Sequence, residues 1–201
     1  MTQNQHLALS ADAQDLLFRD ARTANTFTDE QVTDEQVAAI YELVKYAPTA
    51  MNAQPLRLLL VREGEGRERL LKHMADGNRD KTASAPLVAV LTADVDFHEH
   101  LDRTFPVYPG AKENFAKSEE TREGMARFNA TLQAGYFLLG VRAAGLAAGP
   151  MAGFDAAGID AEFFEGTNQR TLLVVNIGHP GENAWFDRLP RLEHDEVVRY
   201  A

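Results

Sequence analysis

Ala47-Pro48-Thr49-Ala50-Met51-Asn52-Ala53-Gln54-Pro55 is a polar loop with a proline near each end. Its flanks decide how the chain is built. Upstream, Thr33 and Gln36 form a capping-box pattern, and Val37, Ile40, Tyr41 and Val44 follow at i, i+3, i+4, i+7. That spacing predicts an amphipathic helix which Pro48 stops. Downstream, Leu56 to Val61 is a short apolar run of strand length. A helix, a fixed loop and a strand in succession start a mixed architecture.

Further out, the pattern continues irregularly. Gly64-Glu65-Gly66 predicts a turn, Arg67 to Ala75 a short helix, and Pro86 to Thr92 a second strand. Residues 104–120 hold Pro106, Pro109, Gly110 and many charges, which predicts an excursion of loop and irregular helix. Glu120 to Ala144 is the longest periodic element, with Met125, Phe128, Leu132, Tyr136, Leu139 and Ala143 stepping along one face. Gly135 and Gly140 lie inside it, where each costs about 1 kcal/mol relative to alanine. They predict close approach of another backbone, from within the chain or from a second subunit. Gly145 has the character of a left-handed helix end. Gly149 to Asp155 is expected to be a loop, with Asp155 capping a short helix that ends near Phe164. Thr171 to Ile177 predicts a third strand, and Gly178 to Ala201 an arm with a late helix at His194 to Tyr200. Before all of these, residues 1–10 are expected to be a mobile tail, with a first helix starting near Ser10 or Asp12. Residues 11–201 are expected to form one domain of the α+β class, dominated by helices.

Composition narrows the function classes. The chain has 201 residues, 20 Lys and Arg against 30 Asp and Glu, and a net charge of −10. A bulk electrostatic grip on nucleic acid needs a basic face, so no nucleic-acid partner is expected. There is no cysteine, hence no disulfide framework, thiolate metal site or cysteine nucleophile. The polar start lacks a signal-peptide core, and no run nears 18 apolar residues, so the expected address is cytoplasmic with no membrane partner. No phosphate-binding G-x-x-x-x-G-K-[ST] loop, no G-x-S-x-G elbow and no dinucleotide fingerprint occurs.

Several residues could still carry chemistry. Asp94, Asp96, His98 and His100 would share one face of an extended strand and could ligate a divalent metal; in a helix they would not. Arg19 and Arg22 lie near one end of the chain, Arg188 and Arg191 near the other. If the pairs converge they form an anion site; otherwise they are surface arginines. Asn52 and Gln54 offer amides suited to a heterocycle edge or to ordinary turn bonding. Asn129 and Gln133, four apart, face a site or bond each other, the second reading being favoured by their spacing. Asn78 and Lys81 could grip a ligand from one helical turn or form an exposed pair. The stretch Pro150 to Gly153 leads into a capped helix start, where free N–H groups gather.

In order and spacing these segments resemble the flavin-dependent nitroreductase family, and within it the malonic semialdehyde reductase branch of pyrimidine breakdown. The resemblance rests on Asp20-Ala21-Arg22-Thr23-Ala24-Asn25, on Ala47 to Pro55, and on Asn78-Arg79-Asp80-Lys81 before Ala85-Pro86-Leu87-Val88. It continues through Gly149 to Asp155, then Asn176-Ile177-Gly178 with Arg188-Leu189-Pro190-Arg191, and covers about 12 to 199. The resemblance implies a nitroreductase-like α+β fold, a central mostly antiparallel sheet packed with helices, and an interlocked homodimer with two FMN sites. Tightly bound FMN and transient NADPH or NADH would be the cofactors. Hydride would pass through flavin N5, in ping-pong fashion, to a small-molecule electron acceptor, with malonic semialdehyde going to 3-hydroxypropionate. Nitroaromatic or quinone reduction, a non-catalytic flavin-binding dimer, and a metal-dependent hydrolase at Asp94 to His100 are the alternatives. By the same resemblance Arg22, Thr23 and Asn25 would lie near the phosphate, completed by Arg191 and Arg188. Asn78 and Lys81 would address the polar edge of the ring, and Pro150, Met151, Ala152 and Gly153 would line it. Pro48, Thr49 and Asn52 would come from the other subunit, and the long glycine-bearing helix would form the dimer core. No side chain is assigned as a catalytic acid or base, and no metal ligand is assigned.

Overall fold

The structure, a computed structural model, describes residues 6–201. The expected tail therefore falls partly outside the described residues; within them, residues 6–10 are exposed and Ser10 caps the first helix through its hydroxyl. The helices are α1 (Ala11–Gln14), α2 (Asp34–Val44), α3 (Glu65–Leu71), α4 (Asp76–Ser84), α5 (Leu101–Thr104), α6 (Ala111–Ala116), α7 (Glu119–Ala143), α8 (Ala156–Phe163) and α9 (His194–Val197). The strands are β1 (Leu56–Val61), β2 (Leu87–Asp94), β3 (Ala147–Met151) and β4 (Gln169–Gly178). They form one sheet in the order β1-β2-β4-β3, and every pairing is antiparallel. No helix among the described residues is long and apolar enough to cross a membrane.

The sheet is covered on both faces, and β2 shows why. Leu87, Ala89 and Leu91 enter a cluster with Ile40 of α2 and Ala134, Phe137 and Val141 of α7. Val88 and Val90 point the other way, to Leu70 of α3, Met74 and Ile159 of α8. A strand buried on both faces has no polar side to show, hence its unbroken apolar run. A third cluster anchors residues 97–116 on α7 through Phe97, Leu101, Ala126 and Ala130, with Phe97 and Phe115 edge to face at 5.3 Å.

The predicted capping box of α2 is present: the Thr33 hydroxyl accepts from Gln36 N at 3.2 Å, and the Gln36 side chain accepts from Thr33 N at 2.8 Å. Asp155 likewise caps α8 by accepting from Gly158 N at 3.0 Å.

Three expectations need correction. Gly149 to Met151 belongs to β3 and not to a loop. Its proline is tolerated because β3 is a sheet edge, where one N–H has no ladder partner to serve. The short helix near Arg67 begins at Glu65, so Gly64 with φ of 121° makes the turn alone. The face of α7 marked by Phe128, Leu132 and Tyr136 is not its core face. The core face is Ala126, Ala130, Ala134, Phe137 and Val141, while Phe128 is 64% exposed. Gly140 meets a close approach from within the chain: a Cβ there would lie 2.5 Å from Val44 Cγ1 of α2, whereas one on Gly135 would meet nothing within 4 Å.

Candidate functional site

Residues 22–25 meet the start of the arm that follows β4. Ala24 N donates to Ala148 O at 3.1 Å, which lays residues 22–25 along the outer edge of β3. Asn25 N donates to Ala184 O at 3.0 Å and brings in the start of the arm. A pocket of about 210 Å³ results, lined by Arg22, Thr23, Asn25, Arg188 and Arg191 together with Asp187. Arg22 Nη1 donates to Phe186 O at 3.3 Å, Arg188 Nη2 to Ala21 O at 3.3 Å and to Arg19 O, and Arg191 Nη1 to Leu189 O at 2.9 Å. These partners are backbone carbonyls, and none of the three arginines forms an ion pair with a carboxylate among the described residues. Three guanidiniums against the single carboxylate of Asp187 leave the pocket net positive, and planar guanidinium donors suit an anion such as phosphate. Arg19 does not join them; it turns back to Asp15 and to Gln14 Oε1.

Next to this pocket, β3 runs into Ala152 and Gly153. Asn78 Nδ2 donates to Gly153 O at 2.9 Å, and a Cβ on Gly153 would lie 2.6 Å from that same nitrogen. Gly149 is equally constrained, since a Cβ there would lie 2.7 Å from Ala24 O. Two glycines thus let α4 and residues 22–25 close on the strand. Lys81 is fixed through its backbone, whose carbonyl accepts from Asn176 Nδ2 at 3.1 Å, and its ammonium makes no ion pair among the described residues. Met151 is buried, with its sulfur 3.8 Å from Thr82 Oγ1.

Arg67 is a structural residue that the sequence pattern concealed. It is 4% exposed and donates to Thr82 O at 2.6 Å, Ala85 O at 2.8 Å and Val61 O at 2.8 Å. It closes the C-terminal end of α4, the helix that carries Asn78 and Lys81. Burial pushes its pKa down. Sitting in Arg67-Glu68-Arg69, it has the local look of a solvated surface string; no nearby signal separates it from its neighbours.

Pro48, Thr49 and Asn52 lie at the opposite sheet edge, in the loop feeding β1. Three interstrand spacings separate β1 from β3, roughly 14 Å. Met51, Asn52 and Gln54 have φ of 54°, 50° and 46°. Left-handed backbone costs residues with a Cβ roughly 1–2 kcal/mol each, less for asparagine. The loop is braced accordingly. Thr49 Oγ1 accepts from Gln54 N at 3.2 Å, and Asn52 Nδ2 donates to Thr104 O at 2.8 Å. Asn129 Oδ1 accepts from Ala50 N at 2.8 Å, and Gln133 Oε1 accepts from Leu56 N at 3.0 Å. The expectation that Asn129 and Gln133 bond each other is corrected: each serves a backbone N–H of the loop, which leaves no reason for them to pair.

The metal cluster does not assemble. β2 ends at Asp94, and residues 97–100 form a 3₁₀ turn, so the extended face is never made. Asp94 pairs with Arg57 at 2.7 Å, and Asp96 accepts from Asn168 Nδ2 at 2.8 Å. Glu99 pairs with Lys112 at 2.6 Å, and that hydrogen bond holds its carboxyl below the ordinary value. Among the described residues no group of three or more His, Asp or Glu is placed to hold a metal ion.

Comparison with known proteins places these features in a context. The model of the nitroreductase family matches residues 19–179. A Streptomyces griseus protein with the provisional name NADH dehydrogenase/NAD(P)H nitroreductase is 63% identical over 192 residues, which cover 96% of this chain and 97% of that one. A Leptothrix cholodnii protein of the same provisional name is 48% identical over 188 residues, with 94% and 95% covered. Among solved structures, a provisionally named nitroreductase from Exiguobacterium sibiricum in complex with FMN superposes with a TM-score of 0.82 at 20% identity, covering 96% of this chain and 98% of that one.

Proposed function

The chain belongs to the nitroreductase family, and from that premise we propose that it is an NAD(P)H-dependent oxidoreductase working through FMN held between two copies of itself. The observation that carries this reading is the pocket joining Arg22, Thr23 and Asn25 to Arg188 and Arg191. It is a phosphate-sized concentration of positive charge in a chain of net charge −10. The donor set fits a flavin mononucleotide: guanidiniums for the phosphate, then a strand end that its glycines bring against Asn78, with Lys81 on the same helix, for a flat polar ring.

When bound, FMN supplies hydride transfer between a nicotinamide and an acceptor, chemistry that no side chain here offers. The chain's own residues bind and orient. Arg22, Arg188 and Arg191 hold the phosphate. Asn78, fixed on Gly153 O, and the Lys81 ammonium would serve the polar edge of the ring. Pro150, Met151, Ala152 and Gly153 would line its face. Pro48, Thr49 and Asn52 would come from the second copy, as the family resemblance implies; the sheet order, which sets them on the far edge from their own arginine pocket, supports this reading.

Two surfaces support the second copy. Phe128 and Leu132 of α7 are 64% and 40% exposed, and Tyr41, Leu43 and Tyr46 are exposed on and beside α2. The arm beyond Ala184 is exposed throughout and carries Phe186, Leu189 and Leu192. Apolar groups on this scale mark an association surface.

For the acceptor, the sequence resemblance favours malonic semialdehyde, and the relatives' names favour nitro compounds. The test begins with the purified protein's visible spectrum, its FMN-to-chain ratio and anaerobic bleaching by NADH and by NADPH. A yellow protein of one FMN per chain that bleaches is expected. A colourless protein that takes up no FMN overturns the proposal, and FMN that never bleaches makes this a non-catalytic flavin-binding dimer. Comparing kcat/KM for malonic semialdehyde, a nitroaromatic and a quinone then ranks the acceptors; equal values defeat the malonic semialdehyde assignment.

A further inference from the structure

We propose that Asn129 is a positioning residue: from inside α7 it sets the backbone of the loop that the second copy's flavin would meet. The inference rests on the proposed function only for what the loop faces; the positioning itself is read from the coordinates.

Asn129 has 0% exposure, and its amide is fully committed. Nδ2 donates to Met125 O at 3.0 Å, one turn back in α7, and that bond turns Oδ1 outward to Ala50 N at 2.8 Å. An amide is the group needed, because one end must donate to a carbonyl while the other accepts from an N–H. A leucine of similar volume would leave Ala50 N without its acceptor, while Met125 O would keep the helical bond from Asn129 N. Ala50 is the last ordinary position before the left-handed residues Met51 and Asn52. Thr49 before it is extended, with φ of −131° and ψ of 156°. Fixing Ala50 N therefore fixes the point at which the chain reverses handedness. One helical turn later, Gln133 holds Leu56 N at 3.0 Å, where β1 begins. Two amides on one helix face thus grip the two ends of the loop, and their spacing sets its span. Neither amide touches the arginine pocket, so their effect on a cofactor passes through Thr49 and Asn52.

The experiment uses the full-length protein. Asn129→Ala should raise hydrogen exchange at Ala50 to Asn52 at least tenfold, with the rest of α7 still protected. It should also weaken FMN binding by about tenfold. Phe137→Leu is the control: it loosens the same helix at its 2% exposed core position without touching the loop. At a matched fall in Tm it should leave loop exchange and FMN affinity unchanged. The rescue is Asn129→Ala combined with Ala50→Pro. Proline needs no acceptor, carries a helical φ, and follows the extended Thr49 without strain. The double variant should recover most of the lost FMN affinity. If Ala50 exchange in Asn129→Ala matches that of Phe137→Leu, or if the double variant recovers no affinity that Asn129→Ala loses, the proposal is wrong. A wild-type protein that binds no FMN overturns the functional reading instead, and the exchange of Ala50 still decides the role of Asn129.

Discussion

The loop from Thr49 to Gln54 and the pocket around Arg22 are built in opposite ways. The loop has no charged side chain and holds unfavourable backbone angles, which buried amides and a hydroxyl keep in place. The pocket holds ordinary backbone and a net positive charge, three exposed arginines against Asp187. One region is shaped before any ligand arrives. The other stays electrostatically incomplete until an anion enters. A site assembled from both would take its geometry from the first and its affinity from the second.

The largest effect is expected at Arg67, which supports the helix that carries Asn78 and Lys81. Arg67→Met removes the donor to three buried carbonyls, Thr82 O and Ala85 O at the end of α4 and Val61 O at the end of β1, and should cost about 3–5 kcal/mol in urea unfolding, since each orphaned acceptor costs roughly 1–3 kcal/mol. Next come the anion contacts. Arg22→Ala or Arg191→Ala should weaken FMN binding roughly 10- to 100-fold by titration, and added salt should shrink the difference from wild type. The loss in Asn129→Ala should not respond to salt, and that distinction sharpens the comparison; equal salt dependence would erase it. Gly140→Ala pushes a methyl against Val44 Cγ1 at 2.5 Å and should cost about 1–3 kcal/mol in Tm-derived stability. It should disturb the α2–α7 contact while leaving the arginine pocket as it is. The smallest effect is at Glu162. Its carboxyl is held below the ordinary value first by the hydrogen bond from Arg69, at 2.6 Å. A lowered folded pKa contributes stability above the unfolded value of 4.5, lost as pH falls through the folded value. Glu162→Gln should therefore lower Tm slightly above pH 4.5 and converge on wild type as pH falls, flattening the acid limb in a pH series of Tm.

Much of the framework was legible in the sequence, for identifiable reasons. Thr33 and Gln36, and Asp155 before α8, are local signals that act within four residues, and both caps are present. β1 and β2 were legible as apolar runs. β3 was not, because Gly149-Pro150 carries the chemistry of a turn, and only its place at the sheet edge makes a strand of it. The core face of α7 was hidden by size. Its alanines pack tightly and are small, whereas the large residues that dominate the periodicity face outward. The pairing of Arg22 with Arg188 and Arg191 spans most of the chain, and spacing alone left it undecided; the family resemblance is what pointed to it. Asn129 and Gln133 were noticed as a pair, but their partners lie more than 70 residues away, beyond any local pattern.

The order of synthesis gives the arm a last consequence. Arg188 and Arg191 follow β4, the final strand, so they leave the ribosome after the whole sheet has been made. A nascent chain can assemble its core with Arg22 still waiting for those two partners. Prosthetic-group capture would then be a late event in the protein's biogenesis, sensitive to loss of the arm that carries Arg188 and Arg191.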